Sequence, residues 1–133
     1  MDEDDRSKFE VNFRQVYISL LKSKIHRAVV TAADVNYEGS LSIAAELAEL
    51  VGLEEYERIL VSNMVNGERF ETYVIYGGRG QGEIKLNGAT AHLGKPGDQL
   101  TIMSYGWFET EEARTHKPKI VILGADNEVL HQK

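Results

Sequence analysis

Cysteine is absent from all 133 residues. That excludes disulfides, thiolate metal sites and a cysteine nucleophile in one step. Proline occurs twice and tryptophan once, so neither a proline-rich linker nor a tryptophan-lined cage is available. No apolar run approaches the length of a membrane span, and the N-terminus is acidic where a secretory signal is basic. Basic residues are outnumbered, 15 against 21 acidic, giving a formal charge of −6. Phosphate-backbone binding needs a basic face, so nucleic acid is a poor partner for this chain. The expectation is one domain, without a membrane, in the cytoplasm. A catalyst of this size must work with a few side chains, a metal, a self-made prosthetic group or a subunit interface.

What is present is a chain of short β segments. Ile25 to Thr31 ends in a β-branched run and reads as a strand. Ala32 to Asn36 reads as a connector. Ala44 to Val51 carries Ala, Leu and Glu at helical spacing and stops at Gly52, a C-cap signal. Arg58–Val65 and Arg69–Ile75 flank Asn66-Gly67, which predicts a hairpin with a type I′ turn. Glu83 to Leu86 alternates and runs into a second Asn-Gly at 87–88. Lys95-Pro96-Gly97-Asp98 predicts a type II turn. Gln99–Tyr105 and Lys119–Leu123 read as strands, Thr110–Arg114 as one helical turn and Glu128–Lys133 as a polar tail. Strands punctuated every 8 to 12 residues or so predict a small barrel or sandwich.

The first 20 residues form an extension: an acidic run at 2–5, then apolar residues at helical spacing from Phe9 to Leu21. This stretch is either an amphipathic helix throughout or one that gives way to strand near Ile18, with helix favoured for 9–16. The barrel domain is expected over 21–133. The glycines at 77, 78, 80 and 82 lack the Lys-Ser or Lys-Thr and the helix start that a phosphate cradle needs, and read as a loop. His26, His92, His116 and His131 have no ligand spacing, so no metal is expected.

Tyr37-Glu38-Gly39-Ser40 stands apart only in company. By itself a Gly-Ser pair is a turn leading from strand to helix. Here it follows Lys24-Ile25-His26-Arg27 and precedes Asn66-Gly67-Glu68-Arg69-Phe70 with Thr72-Tyr73, then Arg79-Gly80, Asn87-Gly88-Ala89, Ala91-His92, Gly97-Asp98 and Glu111–Thr115. In that order the set resembles the pyruvoyl-dependent aspartate 1-decarboxylases, over about Lys22 to Glu128.

The resemblance implies a double-psi β-barrel assembled as a homotetramer, with sites between subunits. It implies self-cleavage between Gly39 and Ser40, with a covalent pyruvoyl group derived from Ser40 in place of pyridoxal phosphate. That group takes L-aspartate as a Schiff base and releases β-alanine, for pantothenate synthesis. It implies Thr72 as support for the reacting carbonyl, Tyr73 as proton donor, and Arg69 as the substrate carboxylate clamp. Lys24 adds positive potential; Gly88 and Ala89 offer backbone N–H groups. His26, Tyr37 and Asn87 line the site. Thr90 stands where a second alanine often follows, and Ser62 where some members carry tryptophan. An accessory maturation protein is a further partner left open. Two rival readings stand beside this one: an uncleaved barrel that only binds, and a decarboxylase of another acidic amino acid such as glutamate. Arg69 and Tyr73 share one face of an ideal strand and Thr72 the other. All three serve one site only through a twist, a bulge or a subunit boundary.

Overall fold

A computed structural model describes residues 16–133. The described chain is mainly β. Its elements are β1 (Tyr17–Val29), β2 (Ala32–Asp34), β3 (Ser40–Ala44), α1 (Ala45–Leu50), β4 (Arg58–Asn63), β5 (Arg69–Gly77), β6 (Ile84–Asn87), a 3-10 turn (Gly88–His92), β7 (Gln99–Glu109), α2 (Thr110–Thr115), β8 (Lys119–Leu123), a second 3-10 turn (Ala125–Asn127) and β9 (Val129–Gln132). All nine strands join one mixed sheet in the order β2-β6-β3-β5-β4-β7-β1-β8-β9.

The sheet wraps a single core. Ile25, Leu41, Ile43, Ile59, Val61, Val74, Ile84, Leu86, Leu100, Ile102, Val121 and Leu123 come from seven different strands and are all essentially inaccessible to solvent. Inner faces that meet in one cluster require the sheet to curl, the arrangement of a small barrel. Backbone bonds across the fold reinforce the curl: the Val30 N–H donates to Asp98 at 2.8 Å and the Thr31 N–H to Ile84 at 2.8 Å. Asn127 works at the same seam, accepting from the Val29 N–H at 2.7 Å and donating to the Val29 and Gly82 carbonyls at 2.9 and 2.7 Å.

Several sequence expectations meet the structure closely. The helix expected at 44–51 is Ala45–Leu50, and Lys119–Leu123 is a strand end to end. Gly97 takes φ +94° and the Asp98 N–H bonds to Lys95 at 3.0 Å, as the type II turn requires.

Others need correction. The helix expected for 9–16 lies, apart from Val16, outside the described residues; from Tyr17 onward the chain is strand. Partnership explains this. Tyr17 to Leu21 pair residue for residue with Glu109 to Tyr105, and a good partner strand outweighs local helical spacing. The 66–67 turn is not type I′, because Gly67 has positive φ and Asn66 does not. A longer connection forms, closed by Gly67 N–H to Asn63 at 2.9 Å and Asn63 N–H to Glu68 at 2.8 Å. The side chains of Asn63 and Asn66 each accept a bond from the loop's own backbone at 2.9 Å. The connector at 32–36 contains β2, and the polar tail contains β9, an exposed edge strand paired to β8.

Candidate active site

Ser40 is the first residue of β3, a strand buried along its whole length. Its antiparallel neighbour β6 sets Ser40 opposite Asn87 and Ser42 opposite Lys85. Paired residues share a face, so Ser40, Ser42, Lys85 and Asn87 point the same way. The Asn87 amide uses this. Its Nδ2 donates to Ser40 Oγ at 2.9 Å and to Ser42 Oγ at 2.9 Å. The Ser40 hydroxyl in turn points toward the Glu38 carbonyl, at a long 3.4 Å. Asn87 Oδ1 is buried with no protein partner. An unpaired buried amide oxygen is costly.

Two residues after Asn87 in the same segment complete the corner. Thr90 Oγ1 lies 2.8 Å from the Asn87 carbonyl and 3.3 Å from the Ser40 carbonyl, as donor. Gly88 sits at φ +66°, and a Cβ there would meet Gly39 Cα at 2.7 Å, Gly39 N at 2.8 Å and the Tyr37 carbonyl at 2.8 Å. Only glycine admits the chain carrying the Gly39-Ser40 bond so close to β6. Gly39 is exposed while Ser40 is 1% exposed, so the peptide bond between them crosses from solvent into the interior. Tyr37 is exposed, with the Lys85 ammonium 4.5 Å from its ring centre.

β5 lies on the other flank of β3. The parallel register Leu41↔Val74 brings Tyr73, one residue earlier, alongside Ser40. Tyr73 is half-buried, and its ring lies 6.4 Å from that of Tyr56. Thr72 pairs with the buried Ile59 and shares the inner face with Phe70 and Val74; Arg69, exposed, shares the outer face with Tyr73. The β4–β5 register runs without a shift from Arg69 to Tyr73. No bulge therefore turns Thr72 toward the other two, and that route to a common site is closed.

Lys24 and His26 are on β1, elsewhere. The registers form one cross-strand row Arg69–Ser62–Thr101–His26 and a second row Glu71–Leu60–Met103–Lys24. Three strand spacings separate Arg69 from His26, about 14 Å at roughly 4.8 Å each. Within one chain, then, Ser40, Gly39, Tyr37, Asn87, Gly88, Thr90 and Tyr73 are brought together. Arg69 lies four residues before Tyr73 along β5, and Lys24 and His26 stand on β1, three strands beyond β5 in the sheet. Ala89 is exposed at the start of the 3-10 turn.

The outer face has its own electrostatic signature. His26 Nδ1 is buried without a partner. Burial, then the positive charges of Lys24, Arg27 and Lys133, hold its imidazole below the usual histidine range, so it is neutral at pH 7. Ser62 Oγ, next but one along its row, is also buried and unpartnered. Arg27 takes φ +63° where β1 bulges between His26 and Ala28. Sequence reasoning missed Ser42 and Lys85. The signal for Ser42 was its i+2 spacing from Ser40, which puts both on one face of a strand. Lys85 gave no signal until β3 and β6 were seen to pair.

No three or more His, Asp or Glu side chains among the described residues are grouped to hold a metal ion. No helix among them is long and apolar enough to cross a membrane.

Comparison with known proteins identifies the family. The family model for aspartate decarboxylase matches residues 16–130. The chain is 50% identical over 112 residues to an aspartate 1-decarboxylase of Chlorobium chlorochromatii, covering 84% of this chain and 87% of that protein. It is 53% identical over 113 residues to one of Caldicellulosiruptor saccharolyticus, covering 85% and 88%. With that of Acetivibrio thermocellus it shares 49% over 118 residues, covering 89% and 94%. A match this long and this uniform, centred on a fold that buries Ser40 against Asn87, means that the chain belongs to the aspartate decarboxylase family.

Proposed function

We infer that the protein decarboxylates L-aspartate to β-alanine and CO2, using a pyruvoyl group that it makes from Ser40. The observation that carries this is the Ser40 hydroxyl, buried at the head of β3 and fixed by the Asn87 amide beside an exposed Gly39 packed on Gly88.

The self-cleavage is chemically balanced. Ser40 Oγ adds to the Gly39 carbonyl, and the C–N bond breaks in favour of an ester. Elimination across Cα–Cβ of residue 40 then releases the Gly39 carboxylate and leaves a dehydroalanine. Water hydrolyses its imine tautomer to the ketone and frees ammonia. The sum is one water consumed, one peptide bond lost, and one carboxylate, one pyruvoyl end and one ammonia gained. An unstrained amide is inert to this, so the carbonyl oxygen that develops negative charge needs a donor. We assign that support to Thr72, which stands two residues before Val74 as Gly39 stands two before its partner Leu41, and so reaches the Gly39 backbone from the inner face without sharing the outer face of Tyr73. Asn87 aims the nucleophile, and Thr90 fixes the Ser40 carbonyl that becomes part of the new end group.

The residues present fit a pyruvoyl group. Removal of Ser40 Oγ leaves a donor at Asn87 Nδ2, and the glycine at 88 leaves room above it. The bound group supplies an electron sink for loss of the α-carboxylate. The chain's residues do the rest. Arg69 pairs with the substrate carboxylate in a bidentate way. Tyr73 delivers the proton that replaces CO2. Lys24 contributes positive potential, Gly88 and Ala89 backbone donors, and His26 and Tyr37 line the walls.

Arg69 stands four residues along β5 from Tyr73, and Lys24 and His26 three strands beyond, so we take these groups from a neighbouring chain. This supports a homotetramer with each site at a subunit boundary. The product would enter pantothenate synthesis in the cytoplasm. Incubation of the purified protein with L-aspartate tests the activity: β-alanine and CO2 in equal amounts are expected. Faster turnover of L-glutamate in direct competition would move the assignment to another acidic substrate, and no turnover of either would leave a binding protein.

A further inference from the structure

Lys85 is a half-buried lysine on the face of β6 that carries Asn87, directly opposite Ser42 and two residues from the partner of Ser40. Lysines in such positions ordinarily pair with a carboxylate or reach solvent. Lys85 makes no ion pair among the described residues. Instead its ammonium is 4.5 Å from the centre of the Tyr37 ring. The acidic residues around it are otherwise placed: the Glu83 carboxylate lies against Gly77, the Asp34 carboxylate accepts the Asn36 N–H at 3.0 Å, and Glu38 is exposed. The segment Tyr37-Glu38-Gly39 runs back over Gly88, so Gly39 and Lys85 flank Asn87 from two sides.

Self-cleavage changes the charge here. The Gly39 carbonyl, neutral in the intact chain, becomes a terminal carboxylate. A fixed anion at the mouth of the site repels L-aspartate, whose two carboxylates already outnumber its one ammonium. Lys85, held on the ring of Tyr37 two residues before Gly39, is a cation beside that new end.

We propose that Lys85 is the counter-ion of the Gly39 carboxylate in the mature protein, drawing the new chain end aside and cancelling its charge next to the substrate. Tyr37 holds the ammonium in readiness before cleavage through its ring face. After cleavage a full negative charge outbids the ring. Lys85 is in this account a positioning residue: it touches the chain end, not the reacting atoms. The proposal rests on the self-cleavage inferred above.

Solid-state NMR of the matured full-length protein, labelled with [1-13C]glycine and [ζ-15N]lysine, tests it. Gly39 is the one glycine whose carbonyl becomes a carboxylate, so a single glycine carboxylate line is expected. That line should be dephased by a lysine nitrogen within about 4 Å, the reach of an ion pair. Lys85→Gln should abolish the dephasing and raise KM for L-aspartate about two- to threefold at low ionic strength, with kcat unchanged; the difference should vanish at high salt. Lys85→Arg should restore KM, which a merely structural role would not require. A carboxylate line with no dephasing, or with dephasing that survives Lys85→Gln, overturns the proposal. Absence of any glycine carboxylate line would instead overturn the cleavage itself and remove this proposal with it.

Discussion

The β3–β6 corner and the outer face of β5-β4-β7-β1 carry the two halves of the proposed site, and they are finished to different degrees. At the corner Ser40, Ser42, Asn87 and Thr90 are buried and bonded to one another, with Asn87 Oδ1 alone left unpaired. On the outer face Arg69 is exposed, and His26 Nδ1 and Ser62 Oγ are buried with nothing to bond. The contrast teaches which work one chain does alone. In the reading proposed above, self-cleavage draws only on the corner and its β5 flank. Substrate capture in the same reading draws on Arg69 and Lys24, which stand further off in the sheet.

Ser40→Ala attacks the corner at its centre and should abolish both maturation and turnover. The same variant sharpens the comparison when co-expressed with Lys24→Ala. Each is inactive alone, yet mixed assemblies should recover activity, because some boundaries then join an intact Ser40 to an intact Lys24. A mixture as inactive as its parts would show that each chain keeps its own site.

Gly88→Ala strikes the same corner sterically. Its Cβ would sit 2.7 to 2.8 Å from three backbone atoms of residues 37–39 at a φ of +66°. Backbone strain of this kind costs on the order of 1–3 kcal/mol, and the clash adds to it. The expected result is a lower melting temperature and a largely uncleaved chain on a denaturing gel. A fully cleaved, equally stable variant would mean the loop has room to move.

Tyr73→Phe separates the halves by function. It should mature normally, because the corner is intact, and lose about 100-fold or more in kcat, the usual worth of a general acid. Single-turnover kinetics on the matured variant would measure this; an undiminished rate removes Tyr73 as donor.

The smallest effect comes from His26. Burial and neighbouring cations lower its folded-state pKa, so between that value and about 6.5 the unfolded chain binds more protons. Stability should therefore be flat above pH 7 and decline as pH falls below 6.5. Urea midpoints compared at pH 7.5 and pH 5.5 should differ less in His26→Gln than in the unaltered protein.

The sequence revealed local structure better than it revealed partnership. Ala45–Leu50 and Lys119–Leu123 were legible because spacing and β-branching act over a few residues. The start of β1 was masked by helical spacing that only the far end of β7, Tyr105 to Glu109, overrides. β9 showed no alternation to read, since all its residues are exposed on an edge strand. Asn66-Gly67 promised a two-residue turn, but the side chains of Asn63 and Asn66 stabilise a longer one. Among site residues, Ser40, Arg69, Thr72 and Tyr73 came from ordered motifs. What joins Ser40 to Asn87 is an antiparallel register across 47 positions, and no periodicity reports that. Lys85 lay hidden for the same reason.

An intact-mass spectrum of the purified protein tests the central claim most directly. The account predicts two fragments, residues 1–39 and 40–133, the second carrying a ketone in place of its terminal amine. A single uncut chain that nevertheless decarboxylates L-aspartate at full rate would contradict it.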